Sequence, residues 1–398
     1  MSSADAWLAD VRVAGGDLEP PPGPQIPAEY LQKPRRRAAP SALPIPGLYT
    51  SRELALTLKL SEEHADDEAE DAEDAEVEST HESTTSKRSH SPTLRIVDLQ
   101  IAKKPMFPKT ATSSTDVPQD VRTLYKAIQV LARQSKGVVP LGIETEVKQD
   151  GNGDLDDLED YVAKTPNGKT HEQLKDEFEA MQEIRNETLV CKMKHLHEPS
   201  WNELVHSRML KQAVLGRTGF SYYNITTARV VKDLVPGNEY GELLKGKMID
   251  FTVTLGPPLI PTADIINRNL QRTSNPSNYG PLCYEYIVLS IGTKPPNGSN
   301  ENAEVQLSVW AIAYFNRLRQ LIQDPVPMTL PLLLITDARW KLYLASDLAH
   351  ELHLIEAVDI GTTADIIGCY TILEALRVMF KWVEETFAPW LLEGVKPE

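Results

Sequence analysis

The sequence predicts an α/β chain: one layered domain with a central mixed sheet flanked by helices, preceded by a disordered N-terminal leader. Three observations predict it. After Glu198 the apolar patterning alternates between helical and strand periods in the order helix, strands, helix, two strands, helix, which suits a single layered α/β domain. Residues 1–91 are rich in Pro, Ser, Glu and Asp and poor in aromatics, so they cannot bury enough surface to offset ordering entropy. The hydrophobic content of the 398 residues, 41%, is slightly low for a wholly globular chain, in keeping with an unfolded part. The expected division is a leader at 1–91 and a folded domain at 92–398.

The leader carries an isolated apolar spot at Trp7-Leu8 and basic clusters at Lys33 to Arg37 and at Lys87-Arg88. Such clusters serve as nuclear import signals or phosphate contacts, or are simply solvated. Between them Ser61 to Thr80 holds eleven acids and no Lys or Arg, which accounts for most of the net charge of −16. The rest of the chain sits near −5, so no strongly basic body advertises itself to nucleic acid. The longer apolar runs, Val309 to Phe315 and Leu330 to Ile335, fall far short of the ~20 residues of a membrane helix, and no signal peptide opens the chain. A soluble intracellular protein, nuclear or cytoplasmic, is expected. Cys191, Cys283 and Cys369 are widely spaced with no CxxC, which predicts buried free thiols.

Ordered structure is expected from about Pro118. Val121 to Arg133 reads as an amphipathic helix with Leu124, Ile128 and Leu131 on one side. Asp150 to Glu159 superficially suggests a calcium loop, but position six is Leu155 and position twelve Tyr161, so the turn glycine and bidentate acid are missing. Glu172 to Val190 reads as a helix with Leu174, Phe178, Met181 and Ile184 in a stripe. Ser200 followed by Glu203 has the spacing of a capping box, which predicts a helix from Trp201 to about Leu215. Phe220 to Thr226 and Arg229 to Leu234 read as strands. Further on, a buried helix continues past Trp310. Leu330 to Thr336 and Trp340 to Ala345 read as strands about a turn at Asp337-Ala338-Arg339, and Thr363 to Phe387 as a long helix.

The stretch from Lys247 to Trp310 is the one with chemistry in it. In KMIDFTVTL, strand alternation puts Asp250, Thr252 and Thr254 on one face and Ile249, Phe251, Val253 and Leu255 on the other. In the strand Tyr284 to Lys294, alternation puts Ser290, Gly292 and Lys294 on one face. A helix with Gln306 near its start follows.

This order resembles the core of the PD-(D/E)XK nuclease-like superfamily. The likeness to the fungal PD-(D/E)XK nuclease-like domain proteins covers roughly Ser91 to Leu392. It rests on Trp7-Leu8, SPTLRIVDLQIAKKP from Ser91, WNELVH from Trp201, KMIDF, SNYGPL, TKPP and AEVQLSVW in that order. It implies a restriction-endonuclease-like fold and hydrolysis of phosphodiester bonds in DNA or RNA. It also implies Mg²⁺ or Mn²⁺ held by Asp250, by the Thr293 carbonyl and by an acid of the first core helix, Glu198 or Glu203. Lys294 would assist the nucleophile, and Gln306 would position water or phosphate. A divalent ion would polarise the phosphate and activate water, and oxygen ligands suit such a hard cation.

One position departs from the pattern. Where the family carries Glu or Asp, this chain has Gly292. Glu285 falls on the opposite strand face, Glu304 about 200° and Glu301 about 140° around the helix from Gln306, so none substitutes cleanly. His195, His197 and His206 suggest a metal cluster only weakly, and His206 reads as a packed or hydrogen-bonded ring. No P-loop, dinucleotide GxGxxG or GxSxG elbow is present. Three readings stay open: a metal-dependent nuclease, weakened or intact; a non-catalytic nucleic-acid-binding or protein-interaction module; and an accessory protein of a metabolic pathway.

Overall fold

The computed structural model describes residues 95–150, 157–236, 249–260, 273–295, 298, 300–322 and 324–394. The leader, with Trp7-Leu8, its basic clusters and its acidic run, lies outside these residues, as do Lys247, Met248 and the middle of the supposed calcium loop. Asp150, that loop's first candidate ligand, instead accepts hydrogen bonds from Arg185 and Gln182.

The helices are α1 (Ile96–Gln100), α2 (Arg122–Gln134), α3 (Glu144–Asp150), α4 (Leu158–Tyr161), α5 (His171–Met193), α6 (Glu198–Trp201), α7 (Ser207–Val214), α8 (Asn300–Leu321), α9 (Ile366–Trp382) and α10 (Ala388–Gly394). The strands are β1 (Met106–Thr110), β2 (Phe220–Asn224), β3 (Phe251–Leu255), β4 (Tyr286–Lys294), β5 (Leu330–Thr336), β6 (Arg339–Asp347) and β7 (Leu352–Thr362). The seven strands form one sheet in the order β1-β7-β6-β5-β4-β3-β2. β1 runs parallel to β7 and β4 parallel to β5, and the other neighbours are antiparallel. The α/β architecture with a mixed sheet flanked by helices is therefore observed.

The central strands are buried on both faces, which is why β4 and β5 read as nearly continuous apolar runs. α8 is the crossover between parallel β4 and β5, and it packs on β4, β5 and β6. The opposite face is covered by α2, α7 and α9, with α5 packed on α7 and α9. β6 separates the two layers. Trp340 meets His206 edge-on, whereas Tyr343, three residues further on, donates to Glu304 of α8 at 3.2 Å. An odd spacing along a strand puts the two side chains on opposite faces. The stripes expected of α2 and α5 are core: Leu124, Ile128, Leu174, Phe178, Met181 and Ile184 are all buried.

Several expectations are corrected. Order begins before Pro118, because α1 and β1 precede it and β1 extends the sheet edge. Arg229 to Leu234 is not a strand: Val230 makes an isolated bridge to Ser277, and Lys232–Leu234 is a 3-10 turn. β7 is an eleven-residue strand in a stretch that carried no strand expectation. The Ser200–Glu203 capping box does not form. The helix starts instead at Glu198 with Pro199 in its first turn, where a fixed φ and a missing N–H cost nothing. The three cysteines are free, and Cys191 and Cys369 are buried as expected, but Cys283 is half-exposed.

Candidate functional site

The site is built around the reversal between α5 and α6. α5 ends in a Schellman motif: Leu196 N–H donates to Cys191 O at 3.0 Å and His195 N–H to Lys192 O at 3.1 Å. His195 takes the left-handed position with φ of 48°, a place glycine usually fills. Four residues after Lys194 the chain is helical again, with Glu198 as the first residue of α6. Trp201 Nε1 donates to Leu196 O at 3.1 Å and pins the reversal. Asn202–His206 then form a π-helical turn before α7.

His206 is the anchor of this turn. Its ring is fully buried, stacks on Trp201 and meets Trp340 edge-on. Nε2 lies 3.0 Å from Asp337 O, and Nδ1 lies 2.9 Å from the Asn202 carboxamide. Burial pushes its pKa down to about 4, against the Asp337 carbonyl, so the ring is neutral at pH 7. A neutral imidazole donates once. Nε2–H therefore serves Asp337 O, and Asn202 must turn its NH₂ toward Nδ1. This is the packed, hydrogen-bonded ring that the sequence suggested, and it ties the first core helix to the β5–β6 turn.

Asp250 sits at the bend just before β3. Its own N–H donates to Ile291 O at 3.0 Å, and its carbonyl accepts from Ile225 N–H at 2.8 Å. The carboxylate is buried, and Oδ2 accepts from Thr293 N–H at 2.7 Å. Burial raises the Asp250 pKa, opposed by that N–H and by the charge of Lys294. The Glu198 pKa is raised too, first by burial and then by the charge of Asp250, with Lys294 opposing. Three groups from separate elements, Glu198 of α6, Asp250 before β3 and Lys294 at the end of β4, therefore share one electrostatic neighbourhood. Thr293 belongs to it through its N–H, and its side chain also acts to lower the Asp250 pKa.

The other expected members are placed differently. Glu203 is solvent-exposed in the π turn. Gln306 is buried on α8. Its neighbour Leu307 crowds the position of the missing acid. A methyl group at position 292 would sit 3.3 Å from Leu307 Cδ2, a tight contact that asks the leucine to give by a few tenths of an ångström. Ser290, on the same strand face, accepts from Trp310 Nε1 of α8 at 3.0 Å, as alternation required. Glu304 is engaged elsewhere, by Tyr343.

Asp250, and a Glu198 whose proton affinity Asp250 raises, with a lysine alongside, fit Mg²⁺. That ion is commonly held by one or two carboxylates, with waters and substrate phosphates completing the shell. No group of three His, Cys, Asp or Glu side chains converges among the described residues, so a closed protein cage is not on offer there. The family model of the PD-(D/E)XK nuclease superfamily matches residues 146–388, more than half the chain. The chain belongs to the PD-(D/E)XK nuclease superfamily. No curated protein sequence matches it. In this member of the superfamily, Asp250 and Lys294 stand on adjoining structural elements beside Glu198. Sequence reasoning missed Leu307, Lys192 and Asp337. The first reads as ordinary core, the second as a surface charge, and the third as a turn residue.

Proposed function

We propose that this chain is a metal-dependent phosphodiesterase acting on DNA or RNA, in which Glu198 compensates for the acid absent at position 292. What supports the reading is a buried Asp250 carboxylate fixed by the Thr293 N–H at 2.7 Å, within the electrostatic reach of Glu198 and Lys294. Two like charges half-withdrawn from water favour a cation between them. When bound, Mg²⁺ or Mn²⁺ supplies polarisation of the phosphate and an activated water. Asp250, fixed by the Thr293 N–H, and Glu198 hold the ion, with the Thr293 carbonyl as a further oxygen. Lys294 orients the attacking water or offsets charge on the phosphate, and Gln306 positions water or phosphate from α8. A nuclear or cytoplasmic site of action suits this substrate.

A second reading is a non-catalytic nucleic-acid-binding or protein-interaction module, favoured by one observation: Leu307 crowds position 292, where the family's acid is missing. Nicking of supercoiled plasmid and cleavage of single-stranded DNA and RNA, with Mg²⁺ or Mn²⁺, separate the two. Cleavage should be abolished in Asp250→Ala and Lys294→Ala, strongly reduced in Glu198→Ala, and retained in Glu203→Ala. Wild-type protein inert under all these conditions, or cleavage that survives Asp250→Ala, would defeat the catalytic reading.

A further inference from the structure

The β5–β6 turn ties a second lysine, Lys192, to the end of the strand that carries Lys294. β5 and β6 are joined by the two residues Asp337 and Ala338, and Asp337 has φ of 57°. Hairpin positions of this kind favour Gly, with Asn and Asp tolerated. The backbone of Asp337 is committed on both sides: its N–H donates to Lys294 O at 3.1 Å, and its carbonyl accepts from His206. The turn is therefore locked to the end of β4. Its carboxylate reaches back to α5, where Lys192 Nζ lies 3.7 Å from Oδ2. Oδ1 is buried with no hydrogen-bond partner among the described residues. Lys192 is partly exposed, in the last turn of α5, and the Schellman reversal that follows it leads directly to Glu198. Asp337 thus bridges Lys192, through its side chain, and Lys294, through its backbone.

We propose that Lys192, held in place by Asp337, is a phosphate-contacting residue that binds the nucleic-acid backbone next to the phosphate served by Lys294. This rests on the nucleic-acid reading above. Each phosphate contact on duplex DNA contributes about 0.9 to the slope of log K against log salt, and about 0.7 on a single strand. A change in folding stability does not alter that slope.

Binding of a duplex oligonucleotide, measured across a salt series with EDTA present to prevent cleavage, tests it. Lys192→Ala should lower the slope by about 0.9, and Lys192→Arg should restore it. Lys175→Ala is the control: it lies on the same helix, about 25 Å away at 1.5 Å per residue, and should leave the slope unchanged. An unchanged slope in Lys192→Ala, with wild-type binding salt-dependent, overturns this role alone. Wild-type protein with no salt-dependent binding overturns the nucleic-acid reading and this role with it.

Discussion

His206 should set an acid limit on the stability of this domain. Its ring is fully buried between Trp201 and Trp340, and its pKa falls from 6.5 to about 4 on folding. The folded state therefore binds this proton less readily than the unfolded chain. The contribution is complete above about pH 6.5, shrinks as pH drops toward about 4, and changes no further once both states are protonated. A difference of about 2.5 pH units at about 1.4 kcal/mol per unit makes this about 3 kcal/mol, a large part of the 5–15 kcal/mol that ordinarily holds a domain together. The carboxyls of buried Asp250 and of half-buried Glu198, Glu304 and Asp337 act in the opposite sense. Their raised values make the folded state keep protons longer, so they add stability as pH falls. Comparing wild type with His206→Gln cancels those contributions. Urea unfolding at about pH 7.5 should show the variant less stable, and at about pH 4.5 the gap should narrow by roughly 2–3 kcal/mol. A gap independent of pH would refute the neutral, doubly hydrogen-bonded ring.

Three further outcomes follow from the same geometry. Gly292→Glu should cost about 1–3 kcal/mol through contact with Leu307, and Leu307→Ala about 2–5 kcal/mol. The double variant should cost less than their sum, whereas additive denaturant midpoints would mean the two positions do not meet. Mg²⁺ should raise the melting temperature more at about pH 8 than at about pH 5.5, because Glu198 and Asp250 must be ionised to hold it and both have raised pKa values. The effect should vanish in Asp250→Asn, and a pH-independent rise would place the ion elsewhere. Gly368→Ala should destabilise the protein despite the usual gain of up to about 1 kcal/mol for Ala in a helix, since the methyl would come 2.1 Å from Thr362 O. A thermal melt at or above the wild-type value would contradict that contact.

The parts of the fold that were legible in the sequence are those where a period is unbroken. β5 was readable to the residue, and β4 and β6 to within two, because apolar runs bounded by turn residues leave little choice. β7 escaped because its pairing with β6 shifts register twice, between Trp340 and Lys341 and between Leu342 and Tyr343. Those bulges space Glu356 and Asp359 three apart and hide the alternation. The start of the first core helix was misread because Ser200 and Glu203 mimic a cap, while Pro199 set the true start. At the candidate site, the pairing of the Asp250 segment with the strand that ends at Lys294 was legible from strand patterning. The nearness of Glu198 was not, since it depends on a left-handed His195 at the end of α5. The crowding of position 292 by Leu307 depends on how α8 lies across β4, which no local pattern records.

The pairing of β1 with β7 bears on how the molecule is made. β1 is synthesised well before its partners Leu352 to Glu356. The β5–β6 and β6–β7 hairpins close locally and quickly, whereas this parallel pairing must wait for a long loop to close. Until then the outer edge of β7 is a bare row of backbone donors and acceptors, open to pairing with another chain. Once β1 docks, the sheet ends instead in a short strand carrying Pro108 and Lys109, a border that discourages further addition. The segment that finishes the sheet is thus also its guard against aggregation, and the interval before it docks is when a newborn chain is most exposed.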